Sequence, residues 1–274
     1  MGFPTASNSL DHDRRARLII GGLPRSGTTL LRHMIDQVGQ LTTFPETSFF
    51  LQPLWHLQSV IPKRPAAMAA AFGVPVEVLL AELARGGGQI ETFDRLVCIA
   101  ESRAGVSRRG WVEKSPRNCE FYERLARQHG GLAFVSLVRH GLDVVTSRMP
   151  GHPERSAEYW CPIQRYIDSM EAIMAFRHPR HVVLRYEDFV ANPRETVCRL
   201  HELVDLPLSE QDVPEWAPLD RSDPDATLEP NLSRDITRAR VGRWRGDEYA
   251  PRVAEFLSNR EACRWLVRAG YELP

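Results

Sequence analysis

Gly22-Leu23-Pro24-Arg25-Ser26-Gly27-Thr28-Thr29 is the stretch whose reading decides the fold. It follows a short apolar run, Leu18-Ile19-Ile20, with the character of a buried strand. It leads into Thr28 to Val38, where Leu30, Leu31, Met34, Ile35 and Val38 recur at helical spacing. A glycine-bounded turn between a strand and a helix is the frame of a P-loop. Its glycines let the backbone curl until successive N–H groups converge on one anion. The helix adds roughly half a positive charge at its N-terminus. The departure from the frame matters more than the match. A kinase or NTPase loop carries a lysine that reaches the β- and γ-phosphates, but here that position is Thr28, and Arg25 is the loop's cation. Such a loop suits a phosphate and is poorly suited to γ-phosphoryl transfer. As a plain strand–turn–helix junction, the same segment would use Ser26, Thr28 and Thr29 as N-caps.

Outward from this loop the chain alternates strands and helices. A second strand is expected at Leu41 to Phe44, and further strands at Gly110 to Lys114, Leu132 to Val138 and His181 to Tyr186. Helices are expected at Asn118 to Gln128, from Gly141 to Met149, over 156–177, at Pro193 to Val204 and at Pro251 to Ala269. Repeated alternation implies a parallel sheet covered on both faces. The stretch 50–105 has little strand character and contains helices at Pro75 to Arg85, stopped by Gly86-Gly87-Gly88, and at Phe93 to Arg103. The expected fold is therefore α/β and P-loop NTPase-like: a central parallel sheet flanked by helices, with a helical insert after the second strand. Residues 1–15 are expected to be a disordered tail, and 16–274 a single domain in which 50–105 lies on the acceptor side.

Pro24-Arg25-Ser26-Gly27-Thr28-Thr29 resembles the 5′-phosphosulfate loop of sulfotransferases that use 3′-phosphoadenosine-5′-phosphosulfate (PAPS). The arginine variant is similar to that of tyrosylprotein sulfotransferases and bacterial relatives. The resemblance implies transfer of a sulfonate from PAPS to an alcohol, phenol or sugar hydroxyl, with release of 3′,5′-ADP (PAP) and no metal. It also implies a second anion site, for the 3′-phosphate. Arg139 ends an expected strand and Ser147 follows eight positions on, as in the family's 3′-phosphate motif. On its own, Arg139 reads first as a structural partner of Asp143; beside the loop, the phosphate reading comes first. Tyr186 lies in a segment similar to the family's R-Y-E-D and stands near adenine or in the core. Arg240-Val241-Gly242-Arg243-Trp244-Arg245 resembles the family's late nucleotide-covering region, which marks Arg240, Gly242 and Arg243; a basic solvated turn is the other reading.

Phe44-Pro45-Glu46-Thr47-Ser48 looks like the segment that carries the glutamate base of tyrosylprotein sulfotransferases, which makes Glu46 the candidate base. The alternative for Glu46 is a first-turn acid at a helix N-terminus. Lys114, at another strand end, resembles a family lysine that stabilises the leaving phosphate beside Arg25. Strand alternation turns its neighbour Glu113 to the opposite face. His33 reads as structural, and His140 and His152 as residues near the acceptor.

Composition sets limits on partners. Lys plus Arg and Asp plus Glu are 35 each, so no global basic field exists to hold nucleic acid. The five cysteines include no C-x-x-C pair, which suits free thiols and excludes a zinc or redox motif of that kind. No apolar run approaches the roughly 18 residues of a membrane span, and the N-terminus has no apolar signal core. The expectation is a cytoplasmic protein whose partner is a small-molecule, glycan or natural-product acceptor, with neither nucleic acid nor membrane, and with a homodimer left open. Two competing readings remain. A P-loop small-molecule kinase or NTPase predicts a lysine at position 28 and a magnesium-binding acid after a later strand. A non-catalytic nucleotide-binding module keeps Arg25, Arg139 and Ser147 without needing Glu46 or Lys114.

Overall fold

The computed structural model describes residues 15–53, 64–147, 160–217 and 240–274. Five strands form one wholly parallel sheet: β1 (Ala16–Gly22), β2 (Leu41–Thr43), β3 (Gly110–Lys114), β4 (Leu132–Val138) and β5 (His181–Arg185), in the order β2-β3-β1-β4-β5. The chain leaves central β1 for edge strand β2 and returns to β3 at the flank of β1. It then crosses to β4 on the other flank. Connections thus leave the centre in opposite senses, which opens a crevice at the strand carboxyl ends. Every residue of β1 and β4 is buried, as two covered faces require.

Period-two alternation divides these strands between two cores. Leu18, Ile20, Ala133, Val135 and Leu137 pack with Leu31 and Ile35 of α1 (Thr28–Val38) and with Val197 and Leu200 of α9 (Pro193–Leu203). Ile19, Leu132, Phe134 and Val138 face the other core. That core holds the insert helices α2 (Arg64–Phe72), α3 (Val76–Ala84) and α4 (Gln89–Ala104), with α5 (Tyr122–Gln128) and α7 (Ile163–Ala175). Short α6 (Gly141–Val145) follows β4, and α8 (Tyr186–Ala191) follows β5. The chain ends in α10 (Ala250–Ser258) and α11 (Arg260–Arg268).

The sheet and the insert after the second strand match the expectation; several boundaries do not. The last helix is two, because Asn259 breaks it and caps the second part, its Oδ1 accepting from the N–H groups of Glu261 and Ala262 at 3.1 and 3.0 Å. The helix expected from Asn118 begins instead as a 3-10 stretch, Pro116–Phe121, in which Asn118 is fully buried. Tyr186 opens a helix rather than closing the strand. Arg15, the end of the expected tail, pairs with Glu101 at 2.5 Å. Residues 1–14, 54–63, 148–159 (with His152) and 218–239 lie outside the described part.

A buried carboxylate bolts the insert to the neighbouring strands β1 and β3. Asp94 of α4 accepts from Arg17 of β1 through two nitrogens, the shorter contact 2.9 Å, and from Trp111 Nε1 of β3 at 2.7 Å. Phe44, Phe49, Phe50, Phe72 and Phe93 pack edge-on or tilted beside it. Asp94→Ala leaves a buried guanidinium without this carboxylate, and removal of one member of such a pair costs about 3–5 kcal/mol. The shift in urea midpoint at unchanged slope measures it; a loss below about 1 kcal/mol would show that the bolt contributes little.

Candidate active site

All five strand ends deliver a candidate residue to the same edge of the sheet: the loop after β1, Glu46 after β2, Lys114 closing β3, Arg139 after β4 and Tyr186 after β5. This is the edge at which the opposed connections open the crevice.

The loop is held in a conformation few residues adopt. Gly22 has φ 142° and Gly27 φ 93°, and Arg25 stands in the left-handed region at φ 63°. A methyl group on Gly22 would meet the carbonyl oxygen of Leu137 at 2.2 Å, and one on Gly27 the ring of Tyr186 at 2.7 Å. Pro24 is buried, and Ser26 donates its hydroxyl to the Leu23 carbonyl at 2.6 Å. The capping alternative for the hydroxyls does not occur: α1 has Gly27 at its N-cap, no side-chain cap and no acid in its first turn. The helix dipole therefore faces the loop without an internal anion.

Cations gather around it. Arg139, 7% exposed, donates Nη1 to the Arg25 carbonyl at 3.2 Å and Nη2 to the Arg240 carbonyl, and its guanidinium lies 4.5 Å from the centre of the Tyr186 ring. Burial lowers Arg25 to about 10, and the charges of Arg139 and Arg240 push the same way. Like charges brought together and desolvated favour an anion among them. The Arg139–Asp143 pair that the sequence alone would allow is also present, at 3.6 Å. Asp143 does more: it accepts the N–H groups of Gly242 at 2.8 Å and Trp244 at 3.3 Å, and so ties residues 240–245 to the loop. Ser147 donates its hydroxyl to the Asp143 carbonyl at 2.7 Å. Arg243 is exposed and donates to the Tyr249 hydroxyl at 2.9 Å, away from this cluster.

On the other flank, Lys114 Nζ lies 3.3 Å from Thr29 Oγ1 and 3.6 Å from Glu46 Oε2. Lys114 is 2% exposed, whereas the Glu46 side chain is 44% exposed. Position 28 carries no ammonium, but one from the neighbouring strand stands beside the loop. Glu46 is not a helix cap: the 3-10 turn Phe49–Leu51 starts after Ser48 and has no side-chain cap.

Sequence reasoning missed Glu113. Alternation does turn it away from Lys114, but into a second polar cluster. Its Oε1 accepts from Thr47 Oγ1 and Ser115 Oγ, each at 2.7 Å, and its Oε2 from Asn118 Nδ2 at 2.5 Å. Burial pushes its carboxyl up, while the donors pull it back. The signal in the sequence was a carboxylate, a serine and an asparagine within six residues of a strand end. His140 is structural: its Nδ1 accepts from Leu142 N at 3.3 Å, and its ring stacks on Trp244. His33 is buried beside Arg32. The five cysteines are free thiols, and no single helix among the described residues is long and apolar enough to cross a membrane.

A parallel sheet whose carboxyl edge carries a glycine loop and a cationic cluster defines an α/β protein of P-loop-like architecture. Within that class the chain belongs to the sulfotransferase family, whose model matches residues 17–210. The solved structures that share the fold include two sulfotransferase domains. The sulfotransferase domain of the curacin biosynthetic pathway superposes with a TM-score of 0.70 at 19% identity, over 95% of this chain and 99% of its own. The sulfotransferase domain of the Synechococcus PCC 7002 olefin synthase has a TM-score of 0.66 at 19% identity, over 94% and 95%. No curated protein sequence matches the chain significantly.

Gly27→Ala should cost about 1–3 kcal/mol, from the left-handed φ and the collision with Tyr186. Tyr186→Ala in the same chain should recover part of that loss in urea unfolding. Strict additivity of the two changes would show that ring and glycine do not communicate.

Proposed function

We propose that the protein transfers the sulfonate of PAPS to a hydroxyl acceptor and releases PAP. The observation that carries this reading is the position of Lys114, within reach of Thr29 of the loop on one side and of Glu46 on the other. A loop with no lysine of its own, a buried ammonium beside it and an exposed carboxylate beyond suits a transfer that needs no metal.

In this mechanism residues 24–29 hold the 5′-phosphosulfate through backbone N–H groups and the α1 dipole. Arg139 and Ser147 hold the 3′-phosphate. Tyr186 and residues 240–243 border the nucleotide, with Arg240 and Gly242 close to Arg139 and Arg243 further out. Glu46 takes the acceptor's hydroxyl proton as the acceptor oxygen bonds to sulfur. The bond from sulfur to the 5′-phosphate oxygen breaks, and its electron pair stays on the phosphate of PAP. Lys114 and Arg25 stabilise the charge that develops there. The acceptor enters on the Glu46 side, next to the insert.

The sequence competitor, a kinase, is disfavoured by Thr28 and by Arg139 at the end of β4, where an acid would hold magnesium. A binding module without turnover gives no role to the Lys114–Glu46 pair.

Calorimetric titration is the test. PAP should bind at least tenfold more tightly than 5′-AMP or ATP without magnesium, and Arg139→Lys, which keeps the charge and loses the fork, should erase most of that preference. Preference for ATP once magnesium is added would reverse the conclusion in favour of the kinase. Glu46→Gln should lower kcat for sulfonate transfer to phenol about 10²-fold, with PAP affinity within about threefold of wild type. Unchanged kcat would place the base elsewhere.

A further inference from the structure

Glu113 has no role in the mechanism above, yet it is fully buried and holds together three segments at the crevice. Its donors are themselves occupied in a way that fixes their direction. Thr47 Oγ1 accepts from Phe49 N at 3.2 Å, and Ser115 Oγ accepts from Ser48 N at 3.1 Å. Each hydroxyl then has its single proton left for Glu113. Asn118 Nδ2 carries two protons, one for Glu113 and one for the Ile20 carbonyl of β1 at 3.0 Å. The carboxylate is thus an acceptor for three donors, and through them it binds the backbone of residues 47–49, the end of β3 and the end of β1.

Glu46 sits immediately before this anchored stretch, on a side chain that is itself largely exposed. Nothing on the Glu46 side chain other than the 3.6 Å contact with Lys114 is available to hold it among the described interactions. Its position therefore depends on its backbone, and that depends on the turn 47–49. The turn is unusual in its own right, since Ser48 stands at φ 54° in the left-handed region. Its N–H is the group that meets Ser115. A non-glycine residue in that conformation persists where its surroundings over-determine it. Here the surroundings are the Ser115 hydroxyl and, behind it, Glu113.

We infer that Glu113 is a positioning residue for the transfer: through Thr47, Ser115 and Asn118 it locks the turn 47–49 and so holds the Glu46 carboxylate beside Lys114. The role rests on the reading of Glu46 as the base. Glu113 touches neither substrate nor the reacting atoms. Glutamine at this position keeps one acceptor for the hydroxyls but sets an amide against the Asn118 amide. Valine at position 47 deletes one hydroxyl of the relay at nearly constant volume, whereas serine keeps it.

Wild type, Glu113→Gln, Thr47→Val and Thr47→Ser would be compared in three measurements: crystal structures, calorimetric binding of PAP, and sulfonate transfer from PAPS to phenol. Glu113→Gln and Thr47→Val should bind PAP within about threefold of wild type, and the turn should shift so that Glu46 leaves Lys114. Their kcat should fall about 10–100-fold, and Thr47→Ser should recover most of it. Thr47→Val keeps the test open if Glu113→Gln does not fold. Crystal structures of either variant with Glu46 still beside Lys114 would overturn the inference, as would a loss that Thr47→Ser shares with Thr47→Val. Failure of the wild type to bind PAP would instead overturn the co-substrate reading, and the crystallographic comparison would still decide the role of Glu113.

Discussion

The contact between Lys114 and Thr29 joins the two halves of the site, and much of the structure serves to make it. A lysine in the loop itself would reach its anion wherever the helix went. A lysine on β3 reaches the loop only if β3 lies directly against β1 in one register. That register places Lys114 opposite Ile20, two residues before the loop opens at Gly22. The ammonium is almost wholly buried, so solvent screens its charge less than it would at the surface. Desolvating it has a cost, which the Glu46 carboxylate and the Thr29 hydroxyl partly offset.

On the opposite flank the same problem is solved by guanidinium groups. Arg139 is committed to two carbonyls, to Asp143 and to the face of Tyr186, so it is fixed in place before any ligand arrives. Preorganisation of this kind lowers the cost of binding, because little side-chain freedom remains to be lost. Asp143 has a double function: it holds Arg139 and anchors residues 242 and 244 from the far end of the chain. The strand end and the C-terminal turn thus share one carboxylate, and Arg139 links both to the loop through the Arg25 carbonyl.

What could be read from the sequence was local, and what escaped was contact between distant segments. The loop declared itself because strand, glycines and helix are contiguous, and its missing lysine was visible at position 28. Glu46, Lys114 and Arg139 were singled out because each lies in a segment similar to one of the sulfotransferase family and at or after an expected strand end, and strand ends in open α/β sheets face the crevice. Asp143 as the holder of Gly242 was not legible across 99 positions. Nor was Asn259, since Phe256 and then Ala262, Trp265 and Leu266 continue the apolar pattern across the break. Glu113 was hidden in the same way. Alternation could turn it away from Lys114, but its partners Thr47, 66 positions away, and the Asn118 amide that also reaches the Ile20 carbonyl are brought to it only by the fold.

The aromatic residues around Glu46 show why the insert lies where it does. Phe44 on one side and Phe49 and Phe50 on the other are at most 4% exposed, and all three pack with Phe93 of α4. These side chains are core, closed over by the insert, and α4 is in turn bolted to β1 and β3 through Asp94. The Glu46 side chain faces outward, as the proposed role of base requires, and this deprives it of packing. Immobility then has to come from the backbone on both sides. Here it comes from buried rings at either end of the segment and from the Glu113 hydrogen bonds between them. The insert therefore steadies the segment that carries Glu46.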